Sequence, residues 1–205
     1  MTVPPESSLR ARKKRRTRDR IYDAAVELFA SRSYDDVTVE AICERAEVGR
    51  ATFFRFYGSK AGLLSEFSQR LAEQIARRLD DHPDTTATEQ LWIVQDEITT
   101  AWGLSALSTR EMAREWIRNA TASDLQEATP PELMALVADI VRDGQASGEF
   151  TRVYEPDFVA WIILAALSSI TAGWLGSAGD DESLAQGTRD TVSFLLSGLR
   201  GPGDE

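Results

Sequence analysis

The sequence predicts an all-α protein of about nine helices, in which a small N-terminal three-helix domain precedes a larger helical domain. Three observations lead to this prediction. Apolar residues recur three and four positions apart along most of the chain, which is the spacing of one face of an α-helix. Segments with the form of a helix-capping box separate several of these stretches. Nowhere do apolar and polar residues alternate for long enough to indicate a strand.

The N-terminal domain is predicted from its apolar spacing and its cap residues. The first helix begins near Thr17 and has an apolar face made of Ile21, Ala24, Ala25, Leu28 and Phe29. Thr38 occupies the N-cap position of a second, shorter helix, because its hydroxyl can accept a hydrogen bond from the first turn. Gly49 then allows a tight turn before a third helix over Arg50–Tyr57. Ser59 is predicted to cap a fourth helix.

Helix starts in the larger domain are indicated by capping boxes, which begin at Thr86, Ser108 and Thr129. A long apolar helix is predicted over Pro156–Gly176, because a proline suits a first helical turn. A final helix is predicted over Asp181–Leu199.

Charge is distributed unevenly along the chain, whose formal net charge is −10. Residues 1–60 contain 13 Lys and Arg against 9 Asp and Glu, a balance of +4, whereas residues 61–205 contain 10 against 24, a balance of −14. Residues 10–20 include eight of the basic side chains and almost nothing apolar to bury. This asymmetry indicates that the N-terminal part contacts a polyanion and that residues 1–16 form a flexible basic arm.

Several classes of protein are disfavoured by the composition. Cys43 is the only cysteine and His82 the only histidine, so disulfides and histidine-based metal or catalytic sites lack partners. There is also no glycine-rich phosphate loop, and we therefore expect no enzymatic activity, no cofactor and no metal. No secretory signal follows the N-terminal charges, and the longest apolar run, residues 158–167, has ten residues, too few to cross a bilayer. These features predict a cytoplasmic protein without a membrane segment.

The segment 48–60, VGRATFFRFYGSK, contains three positive charges, no acid and four aromatic residues. A short helix, a tight turn and a second helix with positive surface charge are typical of a helix-turn-helix, whose second helix enters the major groove of DNA. On that helix Phe53 and Tyr57 share the inner face, and the outward positions are Arg50, Ala51, Phe54 and Arg55. A cation in the first turn opposes the helix macrodipole by about 0.3–1 kcal/mol, so with no acid in the segment Arg50 is expected to contact DNA.

Residues 17–64 resemble the DNA-binding domain of the TetR family of bacterial transcriptional regulators. The resemblance is carried by AAVELF in the first helix, TVEAICERAEVGRATFF across the turn and FYGSKAGLL at the end. It implies a homodimer that binds a palindromic operator, usually represses, and is released when a small ligand enters the C-terminal domain. On this basis residues 17–64 are the helix-turn-helix DNA-binding domain, and residues 65–205 are a ligand-binding and dimerisation domain.

Carried over position by position, the family's base and phosphate contacts fall on Arg50, Ala51, Thr52, Phe54, Arg55, Phe56 and Lys60, with Thr38 opening the second helix. The chain departs from the family at two of these positions. Phe54 and Phe56 stand where the family commonly has a tyrosine and a histidine that bind phosphate. Phosphate binding is therefore expected from Arg55, Lys60 and the basic arm, and Phe54 is expected to pack against a thymine methyl group.

The resemblance places the ligand cavity among the middle helices, where aromatic and polar residues cluster. The predicted lining is Gln95, Thr99, Trp102, Met112 and Trp116. These side chains favour a partly aromatic, hydrophobic small-molecule effector. The excess of acids after residue 60 argues against an anionic effector unless a buried arginine offsets them.

The apolar helix Pro156–Gly176 predicts the oligomeric state. It is apolar around much of its girth and has small residues at Ala165, Ser169 and Gly173, which allow another helix to approach closely. A chain of this size has few helices left to cover such a surface. We therefore expect a homodimer through the last two helices.

Four alternatives accompany this interpretation. A transcriptional activator and a regulator that needs no ligand keep the same fold and the same DNA binding. An enzyme would show turnover without DNA binding. A helical interaction module would leave the basic arm and the acid-free segment 48–60 unexplained.

Overall fold

Eight α-helices and no strand are present in the part of the chain that the computed structural model describes, residues 6–33, 36–60, 62–103, 130–176 and 181–200. In chain order they are α1 (Glu6–Phe29), α2 (Val39–Arg45), α3 (Arg50–Tyr57), α4 (Gly62–Asp80), α5 (Ala87–Gly103), α6 (Pro131–Ser147), α7 (Pro156–Gly176) and α8 (Asp181–Leu199). The prediction of an all-helical fold is confirmed for these residues. The predicted helix starts at Ser108 and Thr129 lie outside the described residues.

Helices α1, α2 and α3 pack around a small apolar core, here called the N-terminal core. Its most deeply buried members are Ile21, Phe29, Val37, Ile42, Phe53 and, from α4, Leu63. The N–H of Ala41 donates to Oγ1 of Thr38 at 3.1 Å, which caps α2 as predicted. Helix α3 spans Arg50–Tyr57 as predicted, and its N-cap residue is Gly49. The apolar faces expected from the spacing therefore form this core.

Helix α1 is longer than expected, since it begins at Glu6 rather than near Thr17. Residues 10–16 are helical and exposed, where the sequence predicted a flexible arm over residues 1–16. Arginine, lysine and alanine have high helix propensity, and lengthening an existing helix avoids the cost of nucleation. This basic extension, residues 6–16, adds about 16 Å to the length of α1.

Helix α4 belongs to both halves of the molecule. It begins at Gly62, slightly later than predicted, where the N–H of Gly62 donates to the carbonyl oxygen of Ser59 at 3.2 Å. A Cβ at Gly62 would lie 2.0 Å from the carbonyl oxygen of Tyr57, so only glycine fits this close to the end of α3. Further along α4, Phe67 packs against both the N-terminal core and the core of the larger domain. The predicted boundary between residues 64 and 65 therefore falls inside a helix.

Helices α5–α8 and the C-terminal half of α4 enclose the larger core, here called the C-terminal core. Its most deeply buried members are Ile75, Val94, Val137, Val141, Leu167 and Leu184. Helix α7 packs against α6 and α8, and α5 packs against α4, α6 and α8. The side-chain amide of Gln145 holds the loop between α6 and α7, because it donates to the carbonyl oxygens of Thr151 at 3.0 Å and Tyr154 at 2.8 Å.

Helix α7 is apolar over its whole length. From Pro156 to Leu175 its mean hydropathy is 1.9, and by length and composition alone it could cross a membrane. The expectation that its apolar stretch is too short was therefore wrong as an argument from length. One face of α7 is buried against α6 and α8, whereas the opposite face exposes Phe158, Trp161 and Ile170. The helix thus has one apolar surface covered within the chain and another that the chain leaves uncovered.

The N-terminus of α5 is capped by two glutamates. The N–H of Thr86 donates to Oε2 of Glu89 at 2.8 Å and the N–H of Glu89 donates to Oγ1 of Thr86 at 3.2 Å, which confirms the predicted capping box. From the loop after α6, Glu149 accepts hydrogen bonds from the N–H groups of Ala87 at 3.0 Å and Thr88 at 2.8 Å. Burial raises the pKa of Glu149, but the hydrogen bonds outweigh burial and hold the pKa below its ordinary value.

We predict that Glu149→Gln lowers the free energy of unfolding by about 1–2 kcal/mol at neutral pH. The wild-type contribution is complete above the unfolded-state pKa of about 4.3 and disappears as the pH falls through the lowered folded-state pKa. The difference between the two proteins is therefore expected to shrink in acid, and urea unfolding from neutral to acidic pH measures it.

The control for this experiment is Glu44→Gln, on an exposed carboxylate of α2 that forms no ion pair with another described residue. Its effect on the free energy of unfolding is expected to stay below about 0.5 kcal/mol at every pH. A loss for Glu149→Gln that is equal at neutral and acidic pH would contradict the role assigned to this carboxylate.

Candidate nucleic-acid interface and ligand site

The two faces of α3 differ in burial as the sequence predicted. Phe53 and Tyr57 are buried in the N-terminal core, and their ring centroids lie 5.7 Å apart. The residues on the opposite side are all exposed, namely Arg50, Ala51, Phe54 and Arg55. Two guanidinium groups and an aromatic ring are therefore presented to solvent by a helix whose other face is held in a core.

Arg50, in the first turn of α3, has an acidic neighbour. Its Nη1 lies 2.6 Å from Oε1 of Glu40 on α2, and its Cζ lies 5.8 Å from the centroid of the Phe54 ring. The expectation that no acid lies near Arg50 was wrong, because the turn brings the start of α2 beside the start of α3. Both members of the pair are more than half exposed, and such pairs contribute at most about 1 kcal/mol, so an external phosphate or base can replace Glu40.

The remaining predicted contacts on α3 and after it lie beside this face. Thr52 and Phe56 are half-buried, and the centroid of the Phe56 ring lies 5.4 Å from Cζ of Arg55. Lys60 donates through Nζ to the carbonyl oxygen of Val37 at 3.1 Å, which ties it to the residues before α2. An ammonium group has three N–H donors, so this bond leaves Lys60 able to bind an anion as well.

Behind α3, an ion-pair network joins α1 to α4. The carboxylate of Glu66, a residue that is 6% exposed, pairs with Arg18 and accepts a hydrogen bond from Nε of Arg70 at 2.8 Å. Nη2 of Arg70 also lies 2.7 Å from Oδ1 of Asp19, and its Cζ lies 4.0 Å from the centroid of the Tyr22 ring. This network was not predicted, although the sequence holds one signal of it, since Glu66 is an acid at an inward position of an amphipathic helix.

Buried hydroxyl and thiol groups of the N-terminal domain stay neutral. The hydroxyl of Tyr57 donates to the carbonyl oxygen of Arg18 at 2.9 Å, which links the end of α3 to the same network. Burial raises the pKa of Tyr57, and it raises the pKa of Tyr22 to about 12, so both phenols are protonated at neutral pH. Burial also raises the pKa of the Cys43 thiol, as expected of a packed rather than reactive cysteine.

The predicted ligand residues on α5 take part in a buried hydrogen-bond group. The side-chain amide of Gln95 donates to Oγ1 of Thr99 at 2.8 Å and to Oγ1 of Thr188 at 3.0 Å. Thr188, on α8, is 0% exposed and was not predicted, because a partner so distant in the sequence leaves no local pattern. The group therefore joins α5 to α8. The other predicted lining side chains lie outside the described part of the chain, namely Trp102, Met112 and Trp116.

A cleft of about 370 Å³ opens beside this group, between α4, α5 and α8. Its lining residues come from all three helices and are Arg78, Trp92, Ile93, Gln95, Asp96 and Arg189. Gln95 therefore faces both the cleft and the buried group that joins α5 to α8.

Known proteins resemble this chain over its N-terminal domain and over nearly its full length. Residues 21–67 match the family described as bacterial regulatory proteins, tetR family. The chain is 31% identical over 183 residues to the putative mycofactocin biosynthesis transcriptional regulator MftR of Mycobacterium tuberculosis, covering 83% of this chain and 86% of that protein. It is 27% identical over 199 residues to the HTH-type transcriptional repressor KstR of Rhodococcus jostii, covering 96% of this chain and 91% of that protein.

Solved structures share the fold. The structure of FadR, a transcriptional repressor of Thermus thermophilus in complex with lauroyl-CoA, matches with a TM-score of 0.69 at 24% identity, over 92% of this chain and 98% of that one. The transcriptional regulator FadR of Bacillus subtilis in complex with stearoyl-CoA matches with a TM-score of 0.65 at 21% identity, over 88% of this chain and 98% of that one.

Glu66→Gln is expected to lower the free energy of unfolding by about 2–3 kcal/mol, because it leaves Arg18 and Arg70 without their shared carboxylate. The matched control is Glu73→Gln on the same helix, where the carboxylate is 62% exposed and lies 3.9 Å from Nη1 of Arg77. That change is expected to cost less than about 1 kcal/mol. Urea unfolding followed by circular dichroism measures both, and equal losses would show that the network adds nothing beyond a surface pair.

Proposed function

Because the chain belongs to the TetR family of bacterial regulatory proteins, we propose that it is a repressor that binds a palindromic operator as a homodimer and is released by a small hydrophobic ligand. Membership of the family makes it a transcriptional regulator with a DNA-binding helix-turn-helix. We further propose that it acts in the cytoplasm and catalyses no reaction. The observation that carries operator binding is the outer face of α3, where Arg50, Phe54 and Arg55 are exposed.

We assign base recognition to the first turns of α3. Arg50 can donate two hydrogen bonds to the edge of a guanine, and Phe54, which is 42% exposed, can pack against a thymine methyl group. Arg55 and Lys60 are assigned to backbone phosphates, since both can present N–H donors without sequence preference. The full proposed interface consists of Thr38, Arg50, Ala51, Thr52, Phe54, Arg55, Phe56 and Lys60.

The basic extension supports a wider contact with DNA. Residues 10–16 contain six Lys and Arg, and none of them forms an ion pair with an acid among the described residues. The end of α3 contacts α1 at Arg18, so the extension projects from the side of the domain on which α3 ends. We propose that it binds phosphates that flank the operator, which adds affinity for any sequence.

The uncovered faces of α7 and α8 support a homodimer. Phe158 on α7 is 53% exposed and Phe194 on α8 is 77% exposed, and both border a cleft of about 240 Å³. A Cβ added to Gly173 on α7 would meet nothing within 4 Å, so the small-residue side of this helix is open to a partner. A contiguous apolar surface of this kind is typical of a protein interface. We propose that α7 and α8 of two copies pack there as four helices.

The ligand is proposed to bind in the C-terminal domain along α5. Lauroyl-CoA and stearoyl-CoA, which the two FadR structures hold, combine an apolar chain with a large polar head. A ligand of this amphipathic class suits a pocket with polar groups at one end and aromatic groups at the other, lined by Gln95, Thr99, Trp102, Met112 and Trp116. It acts by binding the free dimer more tightly than the operator-bound dimer, and the operator must then weaken ligand binding by the same factor.

Arg50→Ala is expected to reduce operator affinity by about 1–3 kcal/mol and to relax the preference for one base pair in each half-site. Lys60→Ala removes the same charge from the same domain and is expected to weaken binding to all sequences alike. Selection from random DNA with each purified protein, followed by titration of the selected site, measures both effects.

Uniform weakening by Arg50→Ala would reassign this residue to phosphate contact, and failure of the wild type to select any consensus would overturn operator binding. Deleting residues 1–16 completes the comparison. For each phosphate contact that the basic extension makes, its loss is expected to reduce the slope of log K against log salt by about 0.9.

A further inference from the structure

The cleft between α4, α5 and α8 combines apolar and cationic side chains. Half-buried Trp92 and Ile93 from α5 form its apolar part. Arg78 from α4 and Arg189 from α8 bring two guanidinium groups to the same opening, and Asp96 is the acid in the lining. Two cations from helices far apart in the sequence thus converge beside an exposed aromatic surface.

Neither arginine is firmly held by an acid of this chain. Arg189 pairs with no acid among the described residues, and its neighbour Asp190 accepts a hydrogen bond from within α8 instead. Nε of Arg78 lies 3.8 Å from Oε1 of Glu97, which is beyond hydrogen-bond distance, and the other carboxylate oxygen of Glu97 accepts a hydrogen bond from α4. Because residues 61–205 have a balance of −14, arginines without firm internal pairs are unusual there and indicate an external anion.

The cleft adjoins the polar end of the proposed ligand pocket. Gln95 lines the cleft, and its amide donates to Thr99 and Thr188 in the interior. Position 102, at the proposed aromatic end, is two helical turns further along α5, at a distance of about 10 Å. A ligand whose head lies in the cleft can therefore extend its apolar part along α5 toward that end.

We propose that this cleft binds the anionic head of an amphipathic effector. Arg78 and Arg189 bind the phosphate or carboxylate oxygens of the head, and Trp92 packs against its flat or apolar part. The inference rests on the proposed ligand-regulated function and specifies the chemistry of the ligand. It reverses the expectation that the excess of acids disfavours an anionic effector, because two cations and one acid line the cleft itself.

The test uses the wild type, the double variant Arg78→Gln/Arg189→Gln and the control double variant Arg77→Gln/Arg142→Gln. Arg77 and Arg142 are exposed and lie outside the cleft lining, so the control removes the same charge elsewhere on the domain. Titration calorimetry measures the binding of lauroyl-CoA, laurate and uncharged 1-dodecanol to each protein. Operator affinity without ligand is measured in parallel and is expected to be equal in all three, which shows that the variants are folded.

The cleft variant is expected to bind at least one of the two anionic ligands about tenfold or more weakly than the wild type, with unchanged affinity for dodecanol. The control variant is expected to match the wild type with every ligand. A loss confined to lauroyl-CoA assigns a phosphate-bearing head to the cleft, whereas a loss confined to laurate assigns a carboxylate.

Equal affinities of the cleft variant and the wild type for both anionic ligands would overturn the inference, and so would a wild type that binds neither of them. Failure of the proposed function looks different, because the wild type would then bind no operator or would keep it when a ligand is bound. Release of the operator by dodecanol alone would leave the proposed function standing and overturn the inference.

Discussion

One buried carboxylate, that of Glu66, holds the DNA-binding domain to the rest of the protein. It is shared by Arg18 of α1 and Arg70 of α4, and the hydroxyl of Tyr57 at the end of α3 bonds to the backbone of Arg18. Since α1 and α3 both meet α4 at this point, the direction of the exposed face of α3 is set relative to α4. Removing a partner from a buried pair leaves an unsatisfied charge, so this position tolerates change less well than the surface pairs do.

Helix α4 transmits this constraint into the C-terminal domain. Phe67 packs on both cores, and near the other end of the helix Gln74 donates to Glu97 of α5 at 2.7 Å. Glu97 also lies near Arg78, one of the two arginines proposed to bind the effector head. A ligand that draws Arg78 toward itself therefore acts on α4 directly. In a dimer joined through α7 and α8, a small rotation of α4 changes the separation of the two α3 helices, which DNA requires to be about 34 Å.

What could be predicted from the sequence depends on distance along the chain. The inner faces of α1 and α3, the cap at Thr38 and the capping box at Thr86 involve residues within one or two helical turns, and these were predicted. Other features depend on how helices cross, about which spacing within one helix is silent; these are the pairs Arg50–Glu40, Glu66–Arg18 and Gln95–Thr188. The helical state of residues 6–16 was missed because a charged segment poor in apolar residues is typical of disorder unless the helix it extends is considered.

If the Glu66 network sets the position of α3 relative to the C-terminal domain, a distance between the two DNA-binding domains of the proposed dimer tests it most directly. Double electron–electron resonance provides that distance from spin labels at Glu44→Cys, an exposed site on α2, in a Cys43→Ser background. We predict a narrow distance distribution with Glu66 present and a broad one in Glu66→Gln, which operator DNA narrows again. Distributions of equal width in the two proteins would contradict the account, because α3 would then be held in place without the network.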